Sequence, residues 1–337
     1  MAGQCIAAFG EILLRLTPSD GGRLLNTGSL DMSFAGAESN VLSALAMLGH
    51  KTRFVTKVPD GPIGESALLS LKQFGVDTSF IGRGVGRMGT YFIELGSSIR
   101  PSRVVYDREN SAFSMISKGE FDWHELLQGI SWLHLTGITL ALSENCLQQS
   151  LAALQQAQKL GVKVSFDLNY RRSLWKDKKQ ARLAYESVLE YTHLLFGNEG
   201  SLYDVFDWKS DSDSGYQRDQ DLMLKSCAQF GVESVAFTRR HHPSASRNRL
   251  EGLLLAGDQF YQSKDYEVVV SDRFGTGDTF AAGVLHGYSK SWDLQRVIDF
   301  STAAFALKHT IRGDQMLCVE DEIVSIMEGN IYGHVIR

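Results

Sequence analysis

Apolar and polar positions along this chain follow two periods, and the switches between them mark out its elements. Cys5–Phe9 is a short apolar run of the kind a buried strand shows. The stretch from Glu11 to Phe34 is irregular, with a turn at Thr17-Pro18-Ser19-Asp20-Gly21-Gly22 and short strands beside it that can form a β flap. Val41, Leu42, Leu45 and Leu48 then trace one face of a helix that Gly49 stops. Thr52–Val58 reads as a strand, Asp60–Gly64 as a loop, Glu65–Phe74 as a helix closed by Gly75, and Thr78–Gly82 as a strand. From Gly89 the pattern changes: Thr90–Leu95 and Arg103–Tyr106 read as the arms of a hairpin turning over Gly96–Pro101. An excursion of this size among helix–strand units reads as a lid.

Beyond Phe113 the alternation is regular. Strands at Trp132–Leu135, Val162–Phe166, His193–Phe196 and Ser234–Thr238 are separated by helices at Ser143–Leu160, Lys178–Tyr191 and Leu222–Phe230. Lys209–Asp221 is a polar loop running into the last of these helices. Val268–Val270 reads as a strand leading to a helix whose stripe is Phe280, Val284, Leu285 and Tyr288. This repetition predicts a mostly parallel sheet with helices on both faces.

The polar clusters fall where such a sheet binds ligands, past the carboxyl ends of its strands. They are Asp167, Asn169 and Arg171; Asn198 and Glu199; Thr238; and Gly275-Thr276-Gly277-Asp278. Four strands delivering polar groups to one edge point to a site more strongly than any one motif. In the last cluster two glycines let backbone N–H groups approach an anion, at a helix start whose dipole favours negative charge. Asp278 at the mouth of that hole can take a proton from a substrate hydroxyl lying between it and a phosphate. Alone, the motif is also what a tight turn with an aspartate cap looks like. Ala35-Gly36-Ala37-Glu38-Ser39-Asn40 opens a second glycine-led helix. Gly36 leaves room for a ligand there and Asn40 offers a donor and an acceptor, although a capped core helix reads the same way.

Bulk numbers narrow the field. A 337-residue chain with 43% hydrophobic and 22% charged residues is globular, and a net charge of −5 argues against a non-specific nucleic-acid binder. Cys5, Cys146, Cys227 and Cys318 are far apart, which argues against a disulfide framework or metal cluster and for the cytoplasm. No signal peptide is expected, since the run up to Phe9 is short and Glu11 follows, and no stretch approaches a membrane span. The adjacent His241 and His242 are a weak metal signal. A dehydrogenase is disfavoured, because no Gly-x-Gly-x-x-Gly follows the first strand.

Ala35–Val41 resembles the N-terminal signature of the ribokinase-like (pfkB) sugar kinases, and Asp272-x-x-Gly275-Thr276-Gly277-Asp278-Thr279-Phe280-x-x-Gly283 resembles their C-terminal signature. Within that family, Leu135–Leu142, Phe166-Asp167-x-Asn169-Tyr170-Arg171-x-x-Leu174-Trp175 and Ala306-Leu307-Lys308-His309-Thr310-x-x-Gly313-Asp314 are most similar to 2-keto-3-deoxygluconate kinases. The resemblance covers nearly the whole chain. It implies one three-layer α/β/α domain over 1–337 with a small β lid from roughly 11–35 and 88–110. It further implies ATP-dependent phosphorylation of a sugar acid with Mg²⁺, and it allows a monovalent cation.

By position, Gly36, Asn40, Tyr91, Tyr106, Arg108, Arg171 and Asp314 would hold the substrate. Asp278 would be the base, with Gly275, Thr276 and Gly277 as the anion hole. Asn169, Arg171, Asn198, Thr238, Arg240 and the Gly275–Gly277 turn would face the nucleotide. Arg108 and Arg171 suit a substrate carboxylate, which arginine meets with a planar fork; each could also be a surface ion pair. Two positions depart from the family pattern. Ser201 stands where relatives carry a glutamate that organises the Mg²⁺ water shell, leaving Glu199 as the candidate to act through water. Arg239–Ser246 stands where a Gly-rich nucleotide loop is common. These departures keep a non-catalytic sugar-acid sensor open beside the kinase. A fructokinase or a 2-keto-3-deoxygalactonate kinase of the same fold remains open too. An exposed lid edge suits pairing with a second copy, so a homodimer through the lid is expected.

Overall fold

A computed structural model of the chain describes residues 5–19 and 21–331, so Asp20 of the expected turn lies outside the described residues. The strands in chain order are β1 (Cys5–Phe9), β2 (Leu13–Pro18), β3 (Leu30–Ala35), β4 (Lys51–Pro59), β5 (Ile81–Gly84), β6 (Thr90–Glu94) and β7 (Arg103–Asp107). They continue as β8 (Ile130–Thr136), β9 (Lys163–Asp167), β10 (Leu194–Gly197), β11 (Ser234–Ser244), β12 (Arg247–Ala256), β13 (Gln259–Gln262) and β14 (Tyr266–Val269). Among the described residues, ten strands form one sheet in the order β13-β12-β11-β10-β9-β8-β1-β4-β5, with β14 beside β12. From β11 through β5 every pairing is parallel. The chain leaves β1 for β4 and β5 on one side, then crosses to β8 and beyond on the other. The strand order therefore reverses beside β1, where such sheets open a ligand crevice.

Each strand serves two cores. Ile6 and Ala8 of β1 pack with the helices Ala37–Met47, Pro62–Lys72, Thr276–Ser289, Leu294–Lys308 and Glu320–Met327. Ala7 and Phe9 pack on the opposite face with helices that include Glu144–Leu160 and Lys178–Leu189. This is the expected layering of helix, sheet and helix, produced by the two-residue period of a strand buried on both faces. Among the described residues, no helix is long and apolar enough to cross a membrane.

A second sheet of four strands, β3-β2-β6-β7, stands apart from the first, and its small core of Leu13, Ala35, Tyr91 and Ile93 packs against Phe274. It is built from the two segments expected to form a flap and a hairpin.

Several boundaries differ from the sequence reading, each for a local reason. The strand expected at Thr78–Gly82 begins at Ile81, because the Asp77 carboxylate accepts the Ser79 N–H at 2.9 Å and turns the backbone first. The helix expected from Glu65 starts at Pro62, whose fixed φ suits the first helical position. The helix expected from Leu222 begins two turns earlier, capped by Ser214, with polar residues along its start. The largest difference is at Arg239–Ser246. Most of it is no loop: β11 runs on to Ser244 and pairs antiparallel with β12, Arg239 lying opposite Glu251, and only Ala245 and Ser246 form the turn between them.

Candidate active site

The strand ends, two helix starts and the small sheet enclose one cavity of about 570 Å³. Its wall brings together Gly36, Asn40, Tyr91, Tyr106, Arg108, Asn169, Arg171, Asn198, Thr238, Arg240, Gly275, Thr276, Gly277, Asp278 and Asp314. Glu199 is not among them. It is turned away and paired with Arg218 at 3.3 Å, because it is the first residue of a helix capped by Asn198. That corrects the expectation that it serves a metal through water.

The helix Thr276–Ser289 starts at the cavity. Gly275 caps it with a φ of +70°, and a Cβ there would overlap the Asp314 carbonyl oxygen, so both backbone strain and packing require glycine. Gly277 differs: an added Cβ would meet no protein atom within 4 Å. Nothing in the protein demands glycine there, and the space lies over N–H groups of the first turn, which have no intrahelical acceptor. Beside them, Arg240 donates to the Thr276 hydroxyl at 3.1 Å and stacks over Phe305 at 5.1 Å. Among the described residues Arg240 makes no ion pair, and burial together with nearby Arg273 brings its pKa down to about 10. A helix start flanked by two arginines, neither of them ion-paired among the described residues, is an anion site.

Asp278 faces this site from the first turn. Asn40 donates to its Oδ2 at 2.7 Å, and the Asn40 amide oxygen accepts from Gln315 at 3.0 Å, which fixes the direction of the amide. Burial pushes the Asp278 carboxyl up to about 8; the Asn40 bond opposes the shift, and the carboxylates of Asp167, Asp314 and Glu38 add to it. Asp167, at the end of β9, is raised to about 6 by burial, against the N–H of Asn169 that it accepts at 3.1 Å. Glu38 is fully buried, holds hydrogen bonds from Thr136 and Thr139 at 2.8 and 2.7 Å, and is likewise raised by burial.

Other expected residues line the cavity in altered roles. Gly36 is needed for packing, since a Cβ would overlap the Glu11 carbonyl oxygen. Arg108 is no free fork: it is buried and ion-paired with Glu11. Tyr91 and Asp314 hold each other at 3.0 Å, and the other Asp314 oxygen takes Arg15, so the Asp314 carboxylate is occupied within the protein. Arg15 reaches Asp272 as well, at 2.7 Å. Arg171 is exposed and donates to the carbonyl of Tyr170 at 3.2 Å. Tyr106 is 42% exposed and stacks on Tyr91.

Asn198 accepts the Ser201 N–H at 2.9 Å while the Ser201 hydroxyl accepts the Asn198 N–H at 2.9 Å. The unusual serine thus completes a capping box. Thr238 lies opposite Gly252 in the β11–β12 ladder, and His242 is bonded to Asn248 at 3.0 Å.

Residues that the sequence reading left out also face the cavity: Glu11, Glu38, Asp204, Arg273 and Phe274. Glu38 sits inside the N-terminal signature, which made it findable. Arg15 and Glu11 gave no local signal, because their partners are far away in sequence. Among the described residues, no three His, Cys, Asp or Glu side chains come together as a metal cage. Asp167 and Asp204 on the wall fit instead a Mg²⁺ carried mainly by phosphate oxygens and water, the usual habit of that ion.

The family described as pfkB family carbohydrate kinase matches residues 4–321. A 2-dehydro-3-deoxygalactonokinase from Haloferax volcanii is 30% identical over 97% of this chain and 98% of its own length. The crystal structure of a 2-dehydro-3-deoxygluconokinase from Thermotoga maritima superposes with a TM-score of 0.93 at 37% identity, covering 97% of this chain and 99% of that one. A putative ribokinase II from E. coli, in complex with ATP and Mg²⁺, shares the fold at a TM-score of 0.81 and 20% identity, covering 96% and 99%.

Proposed function

Because the chain belongs to the pfkB family of carbohydrate kinases, we propose that it transfers the γ-phosphoryl group of ATP to the terminal hydroxyl of 2-keto-3-deoxygluconate, giving the 6-phosphate. The observation that carries the reading is the pairing of Asp278 with an open Gly277 at one helix start, beside the uncompensated Arg240. A carboxylate next to an anion hole has a use when a hydroxyl lies between it and a phosphate.

In this reading the first-turn N–H groups, Arg240 and Arg273 receive the phosphates, with Asn169, Asn198 and Thr238 along the nucleotide's path. Mg²⁺ bound with the nucleotide would offset phosphate charge, and Asp167 and Asp204 would meet its water shell. Asn40 holds Asp278 toward the hydroxyl. Asp278 accepts the hydroxyl proton while the phosphoryl group moves in line. Arg171, and Arg108 beyond its bond to Glu11, meet the sugar acid's carboxylate at the far end. The small sheet acts as a lid that keeps water from taking the phosphate. The exposed strand β7, with Val105 46% and Tyr106 42% exposed, is the edge through which two copies would pair. Size measurement at two concentrations tests that dimer. The setting we propose is the cytoplasm, in keeping with the widely spaced cysteines.

The substrate assignment is tested by ADP release with Mg-ATP against 2-keto-3-deoxygluconate, 2-keto-3-deoxygalactonate, fructose and ribose. Turnover confined to the keto acids is expected. The Haloferax relative's name favours the galactonate epimer as the second reading, and the ratio of the two rates decides. Equal turnover of fructose would overturn the carboxylate clamp. Binding of the acid without turnover would return the sensor.

A further inference from the structure

Lys308 is fully buried, yet the chemistry above makes no use of it. It is the last residue of the helix Leu294–Lys308, and its ammonium donates to the carbonyl oxygens of Ile311 at 3.0 Å and Gly313 at 2.6 Å. Among the described residues it makes no ion pair. Asp272 and Asp314 are close enough for their carboxylates to favour the charged form against burial. Burying an ammonium is costly unless it is paired or hydrogen-bonded, and here the two carbonyl bonds and the nearby carboxylates offset that cost.

The segment folded around that ammonium supports the anion hole. The Gly313 N–H donates to Asp272 at 3.0 Å, and the N–H groups of Ser271 and Asp272 both donate to the His309 carbonyl, at 2.8 and 3.2 Å. Asp314 follows directly, and its backbone is the surface against which Gly275 lies so closely that no Cβ fits. Gly275 in turn accepts the Thr279 N–H at 3.0 Å, which sets the first turn of the helix. The chain of contact runs from the Lys308 ammonium to the 311–314 segment, to Gly275, to the N–H groups of the hole. Carbonyl oxygens turned inward on one cation are also how backbone replaces the water shell of potassium or ammonium ions.

We propose that Lys308 is a positioning residue for the phosphoryl transfer: a tethered cation that holds the 311–314 segment, and through it the Gly275 turn, in the shape of the anion hole, so that no free monovalent cation is needed there. The proposal rests on the kinase reading of the site. It turns the monovalent cation that the resemblance allowed into a property of this chain's own side chain.

The test uses the whole chain at constant ionic strength, with the chloride salt of tetramethylammonium, sodium, potassium, ammonium or methylammonium. Wild-type kcat is expected to vary less than about twofold among these salts. Lys308→Ala is expected to lower kcat by about 30-fold or more in tetramethylammonium while KM for the sugar acid moves less than about threefold. Ammonium, methylammonium or potassium should then recover about tenfold of that loss, and the same ions should raise the variant's melting temperature. Recovery by small cations, with none by tetramethylammonium, is what a merely structural lysine does not give. A wild-type enzyme that depends on potassium overturns the proposal. So does a Lys308→Ala protein that stays unfolded or inactive in all the salts. If the wild type turns over none of the four sugars, the substrate reading fails by itself, and the melting temperatures still decide the role of Lys308.

Discussion

Asp278→Asn is expected to make the protein more stable while removing most of its turnover, and the size of the gain follows from the carboxyl's pKa. Its folded value of about 8 lies some four units above the ordinary 3.8. A carboxyl raised in the folded state binds its proton more tightly there than in the unfolded chain, so folding loses stability as pH climbs from about 4 to about 8. Full linkage at about 1.4 kcal/mol per unit comes to roughly 5–6 kcal/mol above pH 8. Asp278 faces an open cavity and shares its titration with Asp167, Asp314 and Glu38, so about half of that, roughly 2–3 kcal/mol, is the working figure. Asparagine keeps the shape and still accepts from Asn40, but carries no charge to desolvate. The melting temperature of Asp278→Asn should therefore exceed wild type by roughly 3–4 °C at pH 8.5 and by about 1 °C at pH 5. Scanning calorimetry at both pH values checks it, with kcat measured alongside and expected to fall about 10²–10⁴-fold. A variant no more stable than wild type at pH 8.5, or more stable by the same margin at both pH values, would refute the buried-carboxyl reasoning. Wild-type kcat/KM should also rise with pH toward about 8, as the free enzyme's Asp278 loses its proton.

The two glycines of the turn should separate packing from ligand space. Gly277→Ala should cost no stability, and helix propensity should add up to about 1 kcal/mol, while KM for ATP rises; Gly275→Ala should lower the melting point, because φ is +70° and Asp314 blocks the Cβ. Arg240→Met keeps bulk over Phe305 but should weaken ATP binding about tenfold or more in calorimetry, with the sugar-acid KM unchanged. Arg108→Gln leaves Glu11 buried without its partner and should cost about 3–5 kcal/mol in denaturant unfolding. Adding Glu11→Gln should restore much of that stability, yet leave the sugar-acid KM raised.

What was legible in the sequence was what is local. The strand–helix alternation, the positions past the strand ends and the Gly275–Asp278 turn depend on neighbours a few residues away. Side-chain direction was not legible in the same way. Glu199 and Asn198 are adjacent, yet helix geometry sends one to Arg218 and keeps the other on the cavity wall. Arg108 read as a clamp because its partner Glu11 lies 97 residues away. Arg15 escaped notice because Asp314 lies 299 residues away. The charges of Arg239, Arg240, His241 and His242 disguised a strand. The two-residue period was nevertheless present, since Thr238 and Arg240 face the cavity while Arg239 pairs with Glu251.

The small sheet and the anion hole are not independent structures. Arg15 of β2 ties the sheet to Asp272 and Asp314, the residues that brace the Gly275 turn. Arg108, just past β7, is tied to Glu11, which follows the end of β1. At the tip of the β6–β7 hairpin, the Ser98 carbonyl accepts the Ala245 N–H at 2.9 Å and the Ser98 N–H reaches Ser246 at 2.7 Å. Ala245 in turn accepts Arg273 at 2.7 Å. The first and third of these ties end on segments that also carry groups proposed to handle phosphate. Displacing the small sheet would therefore loosen the Gly275 turn and release Arg273 together. A sheet joined to the body in this way links exclusion of water over the sugar to assembly of the phosphate site, so the hole is complete only when the sugar side is covered.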